Sequence, residues 1–423
     1  MPGNLLEYDL AVAATFEYYQ FFGSSIVNTM SAITMTIMRV NTIYERDLGV
    51  TLKLVADNDD IIETDVNGPL NNENTEILLK QTEDWIDSNL PGGDAAYDIG
   101  HMFSAPRFVG GGLAFLGVVC DNDLKANGVT GFPNPAAGDP YDIDFVAHEI
   151  GHQFNADHSF NGTTNSCGTG RNYATAFEPG SGSTVMAYAG ICGLENLQSN
   201  SDATFHAGSI AQIDSFTRGE GNCANTVAVL VGSPPASNSD PAIAAISNRV
   251  IPANTPFILE AEEATDADNI PLLTQTLSYQ WDQMDAGCPT NSTSFGTDIG
   301  SNTLFRSYVP RGETWRNLPA LGTQVRGRFD KAEVLPCNNR DLDFRLTARD
   351  GSSGQDTEDV RVSVDKSVGP FEITNLNPPV PTIFAGTPFA VNWDVANTNL
   401  PPVNCATVDF DLISFSAGYA SYT

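Results

Sequence analysis

Apolar positions change their spacing along this chain, and the changes divide it. Residues 5–21 alternate apolar, β-branched and aromatic side chains in the manner of a strand. Residues 24–46 place Ile26, Met30, Ile33, Ile37, Val40 and Tyr44 at helical spacing, which predicts a long amphipathic helix. Residues 48–56 read as a strand. Residues 74–90 read as a second helix, with Asn74 as N-cap and Ile77, Leu78, Trp85 and Ile86 facing inward. Residues 97–103 and 113–119 read as two more strands joined through the Gly110-Gly111-Gly112 turn. Asp142 then offers an N-cap, with Asp144 in the first turn of a third helix ending near Phe154.

Beyond about Ala224 the helical spacing disappears. VLVGSPPASNSDP is a Pro/Ser-rich connector, and after it come short alternating strands separated by turns, the pattern of a β-sandwich. A second connector, NLNPPVPTIFAGTP, precedes a stretch too short for a whole sandwich. The expectation is a multidomain protein: a mixed α/β (α+β) domain over residues 1–226, a linker over 227–241, an immunoglobulin-like or PKD-like β-sandwich over 242–366, and part of a third β domain over 367–423.

Composition narrows the function classes. The 423 residues carry 52 acidic against 20 basic side chains, a net charge of −32. Nucleic-acid binders neutralise phosphates with Lys and Arg, so this balance argues against them, and equally against docking on an anionic membrane. No apolar run is long enough for a membrane-spanning helix, and the N-terminus lacks the basic and apolar regions of a signal peptide. Seven cysteines without a CxxC pair favour widely spaced disulfides, hence an exported protein, with one thiol left over.

The chemistry is concentrated in residues 147–158, AHEIGHQFNADH. His148 and His152 are four apart, so on a helix they share one face and can share a metal ion. Glu149 between them can reach a metal-activated water without being a ligand, and this is the HExxH arrangement of zinc hydrolases. His158 supplies a third ligand if the chain turns sharply after Phe154. Three of the five histidines thus fall within eleven residues. The segment HEIGHQFNADH resembles the metzincin pattern HExxHxxGxxH, and Ser183-Thr184-Val185-Met186-Ala187-Tyr188 resembles the accompanying Met-turn. With GLAFLG before the helix, residues 5–224 are similar to reprolysin-like secreted bacterial metallopeptidases. One position departs from the pattern: Asn155 stands where the family has Gly. The turn there needs φ > 0, which Asn tolerates best among non-glycine residues.

The resemblance implies a secreted zinc metalloendopeptidase, a monomer acting on protein or peptide substrates. His148, His152 and His158 would hold zinc, Glu149 would be general base, and Met186 would form an apolar floor. Tyr188 would stabilise the transition state, line the S1′ wall of the substrate pocket or simply pack. Leu113, Ala114 and Phe115 would form the edge strand that pairs with substrate. It also implies Cys120–Cys223 and Cys167–Cys192 disulfides; Cys288 with Cys337 would staple the second domain, leaving Cys405 odd. His101 is expected in a strand near the cleft rim and His206 at the start of a helix, in a structural role. Asp266, Asp268, Asn269 and Asp350 are candidate calcium ligands, although solvated acidic loops in an acidic protein explain them more readily. The competing reading is a non-catalytic extracellular adhesion or binding protein with a relic metal site.

Overall fold

The computed structural model describes residues 4–108, 110–134, 138–231, 236–268, 277–376, 382, 384, 386–408, 413–416 and 419–422. Strand β1 (Asn4–Ala14) is the axis of the first half. It pairs in parallel with β2 (Val50–Leu54) on one side. On the other it takes β3 (Ile99–Ser104) in parallel along its C-terminal half and β6 (Asn225–Ala228) antiparallel along its N-terminal half. Beyond β3 come β5 (Gly128–Gly131), parallel, and β4 (Gly111–Ala114), antiparallel and at the sheet edge. The mixed α/β architecture is the one expected.

Alternation along β1 builds two layers. Tyr8, Leu10, Val12 and Ala14 face a core shared with the long helix α2 (Ile26–Leu48), while Ala11 and Ala13 face helix α3 (Thr75–Asn89). The strand is shorter than its apolar run. Thr15 accepts a hydrogen bond from the Tyr18 amide and starts α1 (Phe16–Phe21), so a side-chain cap ends the strand where the alternation alone would continue it. Ser25 caps α2, and Gly49, at φ +62°, closes it in the left-handed conformation. Asn74 caps α3 through the Ile77 amide; Leu78, Leu79 and Ile86 face inward and Trp85 is half-buried, but Ile77 is exposed.

Two strand expectations are corrected. Gly111 and Gly112 lie within β4 rather than in a turn. The strand stops at Ala114, because the Gly117 and Val118 amides turn away to bind the carbonyls of His152 and Gln153 at a helix end. β5, with the sequence GVTG, was not anticipated.

The helix bearing HExxH begins before Asp142. Gly138 precedes α4 (Asp139–Tyr141), a wider π-helical stretch (Asp142–Ala147) follows, and α5 (His148–Gln153) completes it. Asp142 is no N-cap. It sits inside the helix, and its carboxylate reaches back to the Gly138 amide at 2.9 Å and accepts from Thr36 Oγ1 at 2.8 Å. Downstream lie α6 (Cys167–Gly170) and α7 (Ala207–Thr217). Disulfides join Cys120 to Cys223 and Cys167 to Cys192.

After a short ladder of β7 (Leu230–Val231) with β8 (Ala236–Ser237), the second half is built on strands. These are β9 (Arg249–Pro252), β10 (Phe257–Leu259), β11 (Ser278–Gln283), β12 (Arg316–Leu318), β13 (Arg340–Arg349) and β14 (Gln355–Asp365). The main sheet has the order β11-β13-β14-β9, and β10 pairs with β12. Both pack on one core that includes Trp281, Phe305, Leu318, Phe344 and Val362. The layer facing the main sheet is thus, among the described residues, one two-stranded ladder and long loops, less than a full second sheet. Cys288 and Cys337 are free thiols rather than the expected staple. The Cys337 sulfur turns to the Asp298 carbonyl, and Cys288 is exposed. Residues from 372 onward contribute two further two-stranded ladders.

Candidate metal centre

Histidine spacing on α5 sets the first two side chains. His148 and His152 lie one turn apart, and their Nε2 atoms approach to 3.1 Å. Asn155 then adopts φ +71° and reverses the chain, with its amide on the His152 carbonyl and the Ala156 amide on the Gly151 carbonyl. That reversal brings His158 Nε2 to 3.1 Å from His152 Nε2. Among the described residues, these three side chains are the group of His, Cys, Asp or Glu whose ligating atoms come together, all within 4.8 Å of one another.

The second nitrogen of each ring is held by a backbone carbonyl: His148 Nδ1 by Val185 at 2.7 Å, His152 Nδ1 by Ala156 at 2.7 Å, and His158 Nδ1 by Gly170 at 2.6 Å. A carbonyl can only accept, so each Nδ1 carries the hydrogen and each Nε2 presents a lone pair to the other two. Burial lowers all three pKa values. His148 lies well below the ordinary imidazole value, with its two histidine neighbours adding to the effect, and His152 is pushed down to about 3. Three neutral imidazoles with mutually facing lone pairs repel one another unless a cation lies between them. Tetrahedral zinc with Zn–N bonds near 2.0–2.1 Å sets its nitrogens about 3.3 Å apart. The observed spacing and donor set fit that ion.

Glu149 is buried beside the trio, and burial pushes its pKa up to about 8. Its carboxylate lies directly over Gly112 of β4; a Cβ there would stand 2.1 Å from Oε1, so any larger residue would push the Glu149 side chain out of this position. Leu113 and Ala114 follow Gly112 on this edge strand. Phe115 continues the pairing through its amide to the Asn127 carbonyl, with its side chain exposed.

Met186 is fully buried beneath α5, where a Cβ on Gly151 would meet its sulfur at 2.5 Å. The turn that carries it is fixed by Glu178. This buried carboxylate accepts from the Ser183 and Thr184 amides and from the Ser159 and Thr184 hydroxyls. Tyr188 packs 4.5 Å from the His158 ring and stacks on Phe160 at 4.6 Å. Burial, with Glu149 nearby, raises its phenol to about 12.

Sequence reasoning missed Gly112, Glu178 and the Gly170 carbonyl. Gly112 had a signal, since a third consecutive glycine exceeds what a turn requires. The other two depend on contacts that no local pattern encodes. His101 is not at the cleft rim. It is wholly buried between Gln153 Oε1 at 2.8 Å and Thr130 Oγ1 at 2.9 Å, and burial lowers its pKa to about 4. His206 caps α7 by accepting from the Gly208 amide and stacks on Phe177.

Asp266, Asp268 and Asp350 are not brought together like the histidines, and Asn269 lies outside the described residues. Asp266 accepts from the Asp268 amide, Asp268 from the Ser239 amide, and Asp350 from Asn238 Nδ2 and the Ser352 and Gly354 amides. These bonds shape loops, but Asp266 Oδ2 and Asp268 Oδ1 are buried and have no hydrogen-bond partner among the described residues.

A mixed sheet with an antiparallel edge strand beside an HExxH helix, and a third histidine returned by a tight turn, defines a metzincin-type metallopeptidase fold. Residues 6–216 match the reprolysin-like metallo-peptidase family M12B, and this half of the chain belongs to that family. No curated protein matches the chain. Among solved structures, mirolysin in complex with compound 9 is similar at 13% identity, covering 50% of this chain and 92% of that one with a TM-score of 0.32. A nucleoside hydrolase-related hypothetical protein from Saccharophagus degradans, associated with carbohydrate metabolism, is similar at 17% identity with a TM-score of 0.18. That match covers 37% of this chain, which spans only 30% of the other's length.

Proposed function

We propose that the chain is an exported zinc endopeptidase, with His148, His152 and His158 as the zinc ligands and Glu149 as general base. The observation that carries this reading is the convergence of three Nε2 lone pairs, each ring locked by a carbonyl, beside a buried carboxylate. Zinc held there would supply Lewis acidity and bring the pKa of a water to about 7.

The chain's own groups do the rest. Glu149, held against Gly112, takes the proton of the attacking water and returns it to the departing amine. The outer side of β4 has no partner strand among the described residues, so an extended peptide can add there along Leu113, Ala114 and Phe115. Pairing along an edge strand holds a stretch of backbone rather than a chain end, which supports internal cleavage. Tyr188, packed against the His158 ring, would lend its hydroxyl as a hydrogen-bond donor to the developing oxyanion. Two disulfides in a strongly acidic chain support export.

Metal analysis and protein hydrolysis test the proposal together. We expect one equivalent of zinc, cleavage of unfolded protein substrates that chelator abolishes, and a Glu149→Gln variant that keeps zinc while losing about 10²–10⁴-fold in kcat. Zinc-loaded wild type that leaves broad peptide libraries intact would overturn the peptidase reading. Near-wild-type turnover in Glu149→Gln would overturn the assignment of the base.

A further inference from the structure

The three histidines are supported unequally. His148 and His152 bind carbonyls of Val185 and Ala156, both buried residues of the main core. His158 depends on Gly170, the last residue of a four-residue helical turn in a long loop. Cys167, at the start of that turn, is tied down by its disulfide to Cys192. The other end is held from the second half of the chain.

Arg171, immediately after Gly170, donates through Nε and Nη2 to Asn161 Oδ1 at 3.0 and 2.9 Å, and Nη2 also reaches the Gly287 carbonyl at 2.6 Å. Asn161 is fully buried and donates its amide to the Cys288 carbonyl at 2.9 Å. Two residues along, Thr163 Oγ1 donates to the Thr290 carbonyl at 2.7 Å. The Thr290 hydroxyl donates to Glu195 at 3.0 Å, and the same carboxylate accepts from the Thr163 and Thr164 amides. Residues 287–290 therefore close a hydrogen-bonded network, buried at Asn161, Glu195 and Thr290 and half-buried at Arg171 and Thr163, around the segment that leads away from His158.

We propose that this β-rich half is part of the metal centre: residues 287–290, acting through Arg171 and Asn161, fix the Gly170 carbonyl and so hold His158 in its ligating orientation. Arg171 is a positioning residue, not a ligand or a catalytic group. The inference rests on the zinc-site reading above and deepens it by giving the second half a task at the centre. Its physical basis is that a partner on the far nitrogen sets both tautomer and ring direction, and loss of such a partner typically weakens metal binding about 10–100-fold. Arg171 acts one bond further out, so the low end of that range applies.

The test uses the full chain. Zinc affinity by chelator competition and the visible spectrum of the cobalt-substituted protein are measured for wild type, Arg171→Ala and Arg171→Lys, beside near-ultraviolet circular dichroism of each metal-free chain. Arg171→Ala is expected to lose about 10-fold in zinc affinity with an altered cobalt spectrum and unchanged dichroism, and Arg171→Lys to recover part of the loss. If Arg171→Ala fails to fold, Thr163→Val, which removes the bond to Thr290, should lower affinity in the same direction by a smaller factor. Wild-type zinc affinity and cobalt spectrum in the folded variants would overturn this inference alone. A wild type that takes up no metal would overturn the zinc-site reading and the inference with it.

Discussion

Asn155 decides at a single position whether the third histidine arrives. Its φ of +71° is the left-handed conformation, which places a Cβ too close to the following carbonyl and costs most residues about 1–2 kcal/mol. Asn tolerates it, and the exposed side chain packs against Gly117, where a Cβ would meet Oδ1 at 2.9 Å. Asn155→Gly should therefore change stability by only a few tenths of a kcal/mol, whereas Asn155→Val should cost about 1–2 kcal/mol. The Val variant should also bind zinc more weakly, because the reversal that delivers His158 is strained. Urea unfolding of the metal-free chains and zinc titration of the folded ones measure both effects, and a Val variant as stable as wild type would show the turn is not held in this conformation.

Helix α3 shows how one element can carry a pH dependence. Glu83 faces the sheet, accepting from Asn127 Nδ2 at 3.0 Å, and burial with Asp87 nearby pushes its carboxyl from 4.5 up to about 7. The folded chain thus binds this proton more tightly than the unfolded one. The stability it brings is complete below pH 4.5 and is lost as pH rises through about 7. Glu83→Gln should leave the melting temperature nearly unchanged at pH 5 and raise it at pH 8; a difference equal at both pH values in calorimetry would refute the assignment. Elements of this kind were largely legible in the sequence. α2 and α3 announce themselves by spacing and caps, and HExxH by residue type at fixed offsets. What escaped has a common cause. The strand character of GVTG at β5 comes from lying between β3 and β4, not from its own side chains. The helix start at Gly138 is fixed by Asp142 reaching backward, and the same residue read locally looks like a cap. Gly170 matters through His158, and Glu178 through Ser159, Ser183 and Thr184, contacts that no periodic pattern marks.

At the scale of the whole molecule the two halves are joined by a buried ion pair. Asp47, near the end of α2, and Arg349, at the end of β13, are both fully buried, with Nε 2.9 Å from Oδ1. Asp47 also pairs with Arg46 and accepts from the Phe205 amide and the Thr204 hydroxyl. Burial works to raise its pKa, but Arg349 and Arg46 outweigh that and hold the carboxyl below its ordinary value. Around the pair, Gln280 binds the Phe205 carbonyl, Asp282 accepts from the Ala207 amide, and Arg306 pairs with Asp202. A seam of buried polar groups is exacting, because any group left unmatched loses water without replacement. Separating the halves would strand several such groups at once, so residues 4–365 should unfold as one cooperative unit, although their two hydrophobic cores are distinct. Arg349→Met removes one partner and leaves the buried Asp47 carboxylate with Arg46, the Phe205 amide and the Thr204 hydroxyl, so the cost should fall below the roughly 3–5 kcal/mol of a buried charge left uncompensated. Calorimetry near neutral pH should show one main transition for wild type and, in the variant, an earlier transition of the β-rich half separated from that of the catalytic half. The difference should shrink in acid. Asp47 has a depressed folded pKa, so its contribution is present above the ordinary carboxylate value of 3.8 and is lost as pH falls through the lower folded value. Two resolved transitions in wild type, or a variant with an unchanged profile, would show that the ion pair does not couple the halves.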